Sequence, residues 1–187
     1  AKQYTVKFDG NNGNVSVPTK TVDYYSTYGE LPTPTRTGYT FKGWYTEKDG
    51  GTHITSDSIV KITEDQTLYA QWTANTYYIQ YNANGGTGAP ASQTKTYGKT
   101  LTLSSTKPTR TNYNFKGWGT SASATTVSYA AGATYSANAG ITLYAVWELS
   151  YMKPRIVNVS TVRCNSSGTA DDEGQNGLVS FDWECDK

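Results

Sequence analysis

The sequence predicts a mainly β protein, α+β at most: two tandem small β modules and the start of a further, β-sandwich-like module. Three observations predict this. The stretch Pro34-Thr35-Arg36-Thr37-Gly38-Tyr39-Thr40-Phe41-Lys42-Gly43-Trp44 returns as Pro108-Thr109-Arg110-Thr111-Asn112-Tyr113-Asn114-Phe115-Lys116-Gly117-Trp118, 74 positions later. Around each copy, apolar and polar residues alternate with the two-residue period of a half-buried strand. Aromatic and β-branched residues, which favour strands, sit between clusters of Gly, Asn and Pro, which favour turns.

A period this long exceeds the usual solenoid repeat, so each copy should carry its own core. The modules are read as residues 1–74 and 75–149, with 150–187 as a truncated third segment. Modules of this size bury thin cores and are modestly stable.

The elements follow in order. Tyr4, Val6 and Phe8 line one face of a first strand, and Thr5, Lys7 and Asp9 the other. Gly10 to Asn14 is a turn, and Val15 to Tyr28 reads as a second strand with its approach. Gly29 to Pro34 is a connection, because Pro cannot donate to a central ladder. From Gly38 to Trp44 the alternation holds until Gly43, which predicts a bulge that re-aims the Trp44 indole. A buried aromatic removes roughly 150–250 Å² from water, so Trp44 and Trp118 should fill the module centres. Their alternative use is a sugar-stacking platform. Lys48 to Gly51 is a turn. Ser56 to Asp65 is ambiguous; Ser56-Asp57-Ser58 has the residues to cap one short helical turn. Thr67 to Trp72 closes the module, with Leu68, Ala70 and Trp72 on one face.

The second module repeats this order. Tyr77, Ile79 and Tyr81 stand for Tyr4, Val6 and Phe8, and Thr142 to Trp147 for Thr67 to Trp72. Pairing Tyr97-Gly98 with Tyr28-Gly29 implies five extra residues around Leu101 to Lys107. The expected core is Phe8, Phe41, Trp44 and Trp72 in the first module and Tyr81, Phe115, Trp118 and Trp147 in the second. Thr73 to Thr76 span at most roughly 14 Å, so the modules should sit end to end on a short tether. Beyond them, Ile156 to Val162 and Leu178 to Glu184 read as a hairpin around the 165–177 loop. Cys164 then lies beside the loop and Cys185 about seven residues further along, over roughly 20 Å away and too far for a disulfide.

Formal charge is +1, which hides an asymmetry. Residues 4–74 carry six Lys or Arg and eight acids; residues 75–149 carry five and one, the acid being Glu148; residues 150–187 carry four and six. The bases are scattered among Thr, which excludes a nucleic-acid stripe. Neither repeat contains cysteine, which fits a bacterial surface better than a small secreted animal domain. No apolar run approaches a membrane span. With no starting Met and an end inside a strand-like run, the sequence reads as a piece of a longer protein.

No catalytic, cofactor or metal site is expected. His53 is the single histidine and has no counterpart in the second module, so it reads as an exposed loop residue. Asp9 to Gly13 faintly resembles a calcium loop, but Lys20 stands where the closing Glu belongs. Asp171-Asp172-Glu173 reads as a solvated loop rather than a cation site.

Gly38 to Tyr45, then Gly50-Gly51-Thr52, then Thr67-Leu68-Tyr69-Ala70-Gln71-Trp72 resemble the Listeria–Bacteroides repeat, the B-repeat of internalin-like surface proteins. The resemblance covers both modules. It implies small β-grasp-like modules in tandem on bacterial cell-surface proteins, with roles in adhesion or display. The second copy departs at Asn112, at Gly119 (for Tyr45) and in lacking the Gly-Gly turn, which puts any binding edge there in doubt. Arg163 to Gly174 is similar to segments of phage tail proteins.

The expectation is therefore a non-enzymatic, monomeric spacer and adhesion unit at the bacterial surface, whose partner is a cell-surface protein or glycan. The alternatives are a phage tail fibre or baseplate component and a carbohydrate-binding module of a larger hydrolase. The basic second module suggests an anionic polymer, a teichoic acid or sulfated glycan, met by Lys95, Lys99, Lys107, Arg110 and Lys116 along one edge.

Overall fold

The structure, a computed structural model, describes residues 1–150 and, beyond them, the strands Pro154–Cys164 and Asn176–Cys185. Every regular element among the described residues is a strand.

The first repeat contains β1 (Gln3–Asp9), β2 (Thr19–Asp23), β3 (Tyr39–Tyr45), β4 (His53–Ile54) and β5 (Gln66–Ala74). They form one sheet in the order β2-β1-β5-β3-β4. β1 and β5 run parallel, and the other neighbours are antiparallel. Parallel neighbours need a long crossover, and here everything between the first and last strand supplies it. The alternation on β1 buries Tyr4, Val6 and Phe8 as expected. They pack with Val22, Trp44, Ile54, Val60, Leu68 and Ala70 in one cluster drawn from this repeat alone.

Gly43 makes the predicted bulge. The β3–β5 register shifts between Phe41 and Gly43, and Gly43 sits at φ 143°. Trp44 is thereby turned inward and is 2% exposed; its indole N–H donates to Pro32 O at 2.8 Å. Two expectations need correction. The second strand is only five residues, because Tyr24 and Tyr25 turn away from it. Residues 55–58 form a single turn, Ser58 N donating to Thr55 O at 3.2 Å, and no helix; beyond it Tyr28 N donates to Ser58 O and Val60 N to Ser26 O, tying the segment to residues 25–28.

The second repeat contains β6 (Thr76–Asn82), β7 (Gln93–Thr96), β8 (Leu101–Thr102), β9 (Tyr113–Gly119), β10 (Thr134–Tyr135) and β11 (Ile141–Leu149). The main sheet runs β7-β6-β11-β9, and β8 pairs with β10. The bulge recurs at Gly117, φ 149°, and Trp118 is 0% exposed. By packing, the chain divides into two units. One holds Ala1–Asn82, Pro90–Thr106 and Ala131–Leu143; the other holds Ala83–Ala89, Lys107–Ala130 and Tyr144–Lys187.

The five-residue insertion is also corrected. Tyr4 pairs with Val22 and Tyr77 with Lys95, so Tyr97-Gly98 matches Tyr24-Tyr25, not Tyr28-Gly29. Leu103 N donates to Ala133 O as Tyr28 N donates to Ser58 O, so Leu103 is the counterpart of Tyr28. Two extra residues, not five, separate these points, and they help to build β8. The recurring Tyr-Gly pair misled because Tyr25 adopts φ 66°, the left-handed conformation that Gly98 takes at φ 70°.

At the C-terminal end, β12 (Pro154–Cys164) pairs antiparallel with β13 (Asn176–Cys185). Cys164 lies opposite Asn176 and Cys185 opposite Pro154, at the two ends of the ladder. The acidic run 171–173 and the 165–174 loop lie outside the described residues.

Candidate functional site: a groove present in both repeats

The recurrent motif builds the same groove twice. In the first repeat its walls are Asn12 and Asn14, from the turn after β1, and Thr35, Arg36 and Thr37, from the approach to β3. In the second they are Gly85, Gly86 and Thr87 with Thr109, Arg110 and Thr111. A two-way backbone bridge joins the walls: Asn14 and Thr35 in one copy, Thr87 and Thr109 in the other.

Each arginine is positioned by its own turn. Tyr39 N donates to Arg36 O, and Tyr113 N to Arg110 O, both at 3.1 Å. The turn is completed by a left-handed residue, Gly38 at φ 78° or Asn112 at φ 64°, and glycine and asparagine tolerate that conformation best. It folds the guanidinium over the tyrosine three positions on, at 3.7 Å for Arg36 and 3.9 Å for Arg110. This cation–π seat fixes a flexible side chain. No acid lines either groove, so the guanidinium is the charge each one offers.

The turn under the groove is held by residues the sequence reading did not single out. Asn11 Nδ2 donates to Ala70 O and Lys48 O at 3.0 and 3.1 Å; Asn84 Nδ2 donates to Ala145 O and Ala122 O at 3.0 and 2.9 Å. Both asparagines have positive φ, 45° and 48°. Their recurrence 73 positions apart inside the glycine turns was the available signal. Trp72 and Trp147, read as core, are half-buried clamps on this turn: their indole N–H groups donate to Gly10 O and Ala83 O at 3.0 Å. Phe41 and Phe115, also half-buried, pack edge-on against Trp44 and Trp118 and make ring contacts with the clamps.

The other candidates disperse. Lys95, expected on an exposed edge, is 1% exposed and stands where the first repeat has Val22. Its Nζ donates to Thr96 O at 2.9 Å and Asn138 Oδ1 at 3.0 Å. Lys95 stands between Thr94 and Thr96, polar in both directions, so only the sheet register shows which face is buried. Lys116 is paired with Glu148 at 2.9 Å. Lys99 and Lys107 are exposed. Trp44 and Trp118 are too buried to serve as stacking platforms. His53 lies on β4, exposed, stacked on Tyr45 and filling the space beside Gly43; Val127 does the same beside Gly117. Asp9 Oδ1 accepts from Asn11 N, closing the turn that resembled a calcium loop.

The chain is 37% identical to Internalin H of Listeria monocytogenes over 62% of its own length and 20% of that protein's. It is 33% identical to a putative Gly-rich membrane protein of Evansella cellulosilytica over 62% of this chain and 13% of that one. With a putative membrane protein of the same organism it shares 32% identity over 78% of this chain and 22% of the other. It therefore spans about a fifth or less of these curated relatives. Domains 3–4 of the Streptococcal High Identity Repeats in Tandem, from a cell surface protein, overlay 80% of the chain and 99% of their own at 17% identity. At a TM-score of 0.29 that overlay carries no argument. The Listeria-Bacteroides repeat domain matches residues 4–71 and again 77–146, and the chain belongs to that family as two tandem copies.

Proposed function

We propose that the two repeats are non-enzymatic spacer and binding modules of a bacterial cell-surface protein, and that ligand is held weakly in the groove at Arg36 and again at Arg110. The single observation behind this is the recurrence of the groove with its arginine seated on a tyrosine in both copies. A planar guanidinium among Asn, Thr and backbone groups suits a sulfate, phosphate or carboxylate on a polyhydroxylated polymer, because its fork can bind two oxygens at once. The polyanion reading thus moves from the basic edge to the two grooves. Each groove is open, so each holds its ligand weakly.

The test is the full chain on an array of sulfated glycans, teichoic acids and neutral polysaccharides. The expected result is retention on anionic polymers that weakens with salt and falls with each of Arg36→Gln and Arg110→Gln. Binding unchanged in the double variant, or confined to neutral polysaccharides, overturns it.

A further inference from the structure

The junction ahead of the second repeat has a defined geometry. Asn75 N donates to Gly38 O at 2.9 Å, and Tyr97 N donates to Asn75 O at 2.8 Å. The Tyr97 ring then lies edge-on against Tyr39, with 5.6 Å between centroids, and covers Gly38. A Cβ on Gly38 would fall inside van der Waals contact of that ring. Gly38 and Tyr39 are thus a socket, and Tyr97 is the plug that fills it.

The first repeat carries the same plug. Tyr24 N donates to Lys2 O at 2.8 Å, as Tyr97 N does to Asn75 O. By this register Lys2 matches Asn75, Tyr24 matches Tyr97 and Tyr25 matches Gly98. Here, however, Tyr24 is 42% exposed and Tyr25 67%. Tyr25 holds a left-handed φ that a bulky residue adopts only at a cost, and its ring packs edge-on against Tyr24 at 5.2 Å. Tyr24 in turn packs edge-on against Tyr4 at 6.5 Å. The result is an exposed aromatic patch.

The second repeat also carries the socket position. Ser150 N donates to Asn112 O at 2.8 Å, as Asn75 N does to Gly38 O. Yet Asn112 has a side chain in the place that Gly38 leaves open for the Tyr97 ring.

We propose that the face formed by Lys2, Tyr24 and Tyr25 is a docking plug for a further copy of this repeat, seated in the Gly-Tyr socket such a copy presents. Asn112 closes the corresponding socket of the second repeat to a third. The argument is continuity with the junction already present: identical backbone pairing, the same tyrosine, and a socket whose glycine supplies the clearance. A short tether supplies the effective concentration that so small a contact needs.

The test lengthens the full chain by placing residues 1–73 again before Ala1, which reproduces the spacing Thr73-Ala74-Asn75 as Thr73-Ala1-Lys2. Amide hydrogen exchange is read by NMR at Lys2 and Tyr24 in the original and lengthened chains. The Lys2 amide should slow by about tenfold or more in the lengthened chain, as the Asn75 amide is already slowed in the original. NMR ring contacts (NOEs) between Tyr24 and the Tyr39 of the added copy should appear in the lengthened chain and be lost on Gly38→Asn in that copy alone, while the Lys2 amide stays slowed, as Ser150 N stays bonded to Asn112 O. Tyr24→Phe in the original part should keep the contacts, which separates loss of the socket from misfolding of the first variant. Amides of Val6 and Leu68 report on folding throughout. Lys2 exchange that is equally fast in original and lengthened chains, or ring contacts that are absent from the lengthened chain or survive Gly38→Asn, overturns the proposal and leaves the aromatic patch to a partner of other chemistry.

Discussion

In the first repeat, Phe8 and Val22 fill places that Tyr81 and Lys95 fill in the second. Tyr28 and Val60 likewise give way to Leu103 and Tyr135, so the large and the small residue trade positions. The hydroxyl also moves. In the first repeat Tyr28 donates to Gln66 Oε1 at 2.6 Å; in the second Tyr81 donates to Gln93 Oε1, and its oxygen accepts from Ser104 N at 3.0 Å. The strand order, bulge, turn clamp and arginine groove survive these exchanges. A small sheet therefore tolerates polar atoms in its interior when each finds a partner and total volume is kept. What it does not vary is the backbone conformation where geometry decides: at the bulge glycine, at the turn asparagine and at the left-handed residue before the tyrosine, Gly38 or Asn112.

The largest expected effect tests whether the two cores are equivalent. Trp44→Ala and Trp118→Ala should each cost about 3–5 kcal/mol, since both delete a fully buried indole. Thermal unfolding of the full chain checks this. A Trp118→Ala variant that melts like the parent would show that the second repeat does not depend on its central tryptophan.

The buried lysine gives the next effect. Asn138→Ala removes a partner from Lys95 Nζ and the acceptor of Gly98 N, and should cost roughly 1–3 kcal/mol in denaturant unfolding. Thr63→Ala, at the exposed corresponding position of the first repeat, should cost less than about 0.5 kcal/mol. Lys95→Val should restore the arrangement around Val22 and make Asn138→Ala nearly silent, a coupling that a double-mutant cycle measures. Additive costs would mean that Asn138 serves the loop and not the lysine.

Both repeats should weaken in alkali, each through a different tyrosine. Burial raises the pKa of Tyr28, and burial raises that of Tyr81 against the lowering effect of the Ser104 N–H bond. A raised folded-state value means that the native chain holds the proton more tightly than the unfolded chain. The contribution is fully present below the ordinary tyrosine value of 10.0 and is lost as pH climbs through the raised one. Tyr28→Phe and Tyr81→Phe should each flatten part of that decline. An unchanged alkaline slope in both variants would place the titrating group elsewhere.

The smallest effect concerns the exposed ion pair of the second repeat. Lys116→Ala should cost less than about 1 kcal/mol and lose even that at high salt, because both side chains are half exposed. A larger cost would show that Glu148 also orders the end of β11.

Much of the fold was legible because its signals are local. Alternation on Tyr4-Val6-Phe8 fixes a face within five residues, and Gly43 after Phe41 announces a bulge wherever the strand lies. The repeat itself, its family and the tryptophan cores follow from identities along the chain. The candidate site was legible only in part. Arg110 was singled out for its charge, whereas Arg36 joins it because each seat is made by a left-handed residue and a tyrosine.

Sequence by itself determined the two modules, their strand character, the bulges and the membership in a repeat family, since these depend on neighbours within a few residues. Tertiary structure alone decided that Lys95 is interior, that Tyr97 answers to Tyr24, and that Gly38 clears space for a ring from the next repeat. The physical reason is register. Shifting a strand by one residue sends every side chain to the opposite face, and what selects the register is the packing of strands distant in sequence.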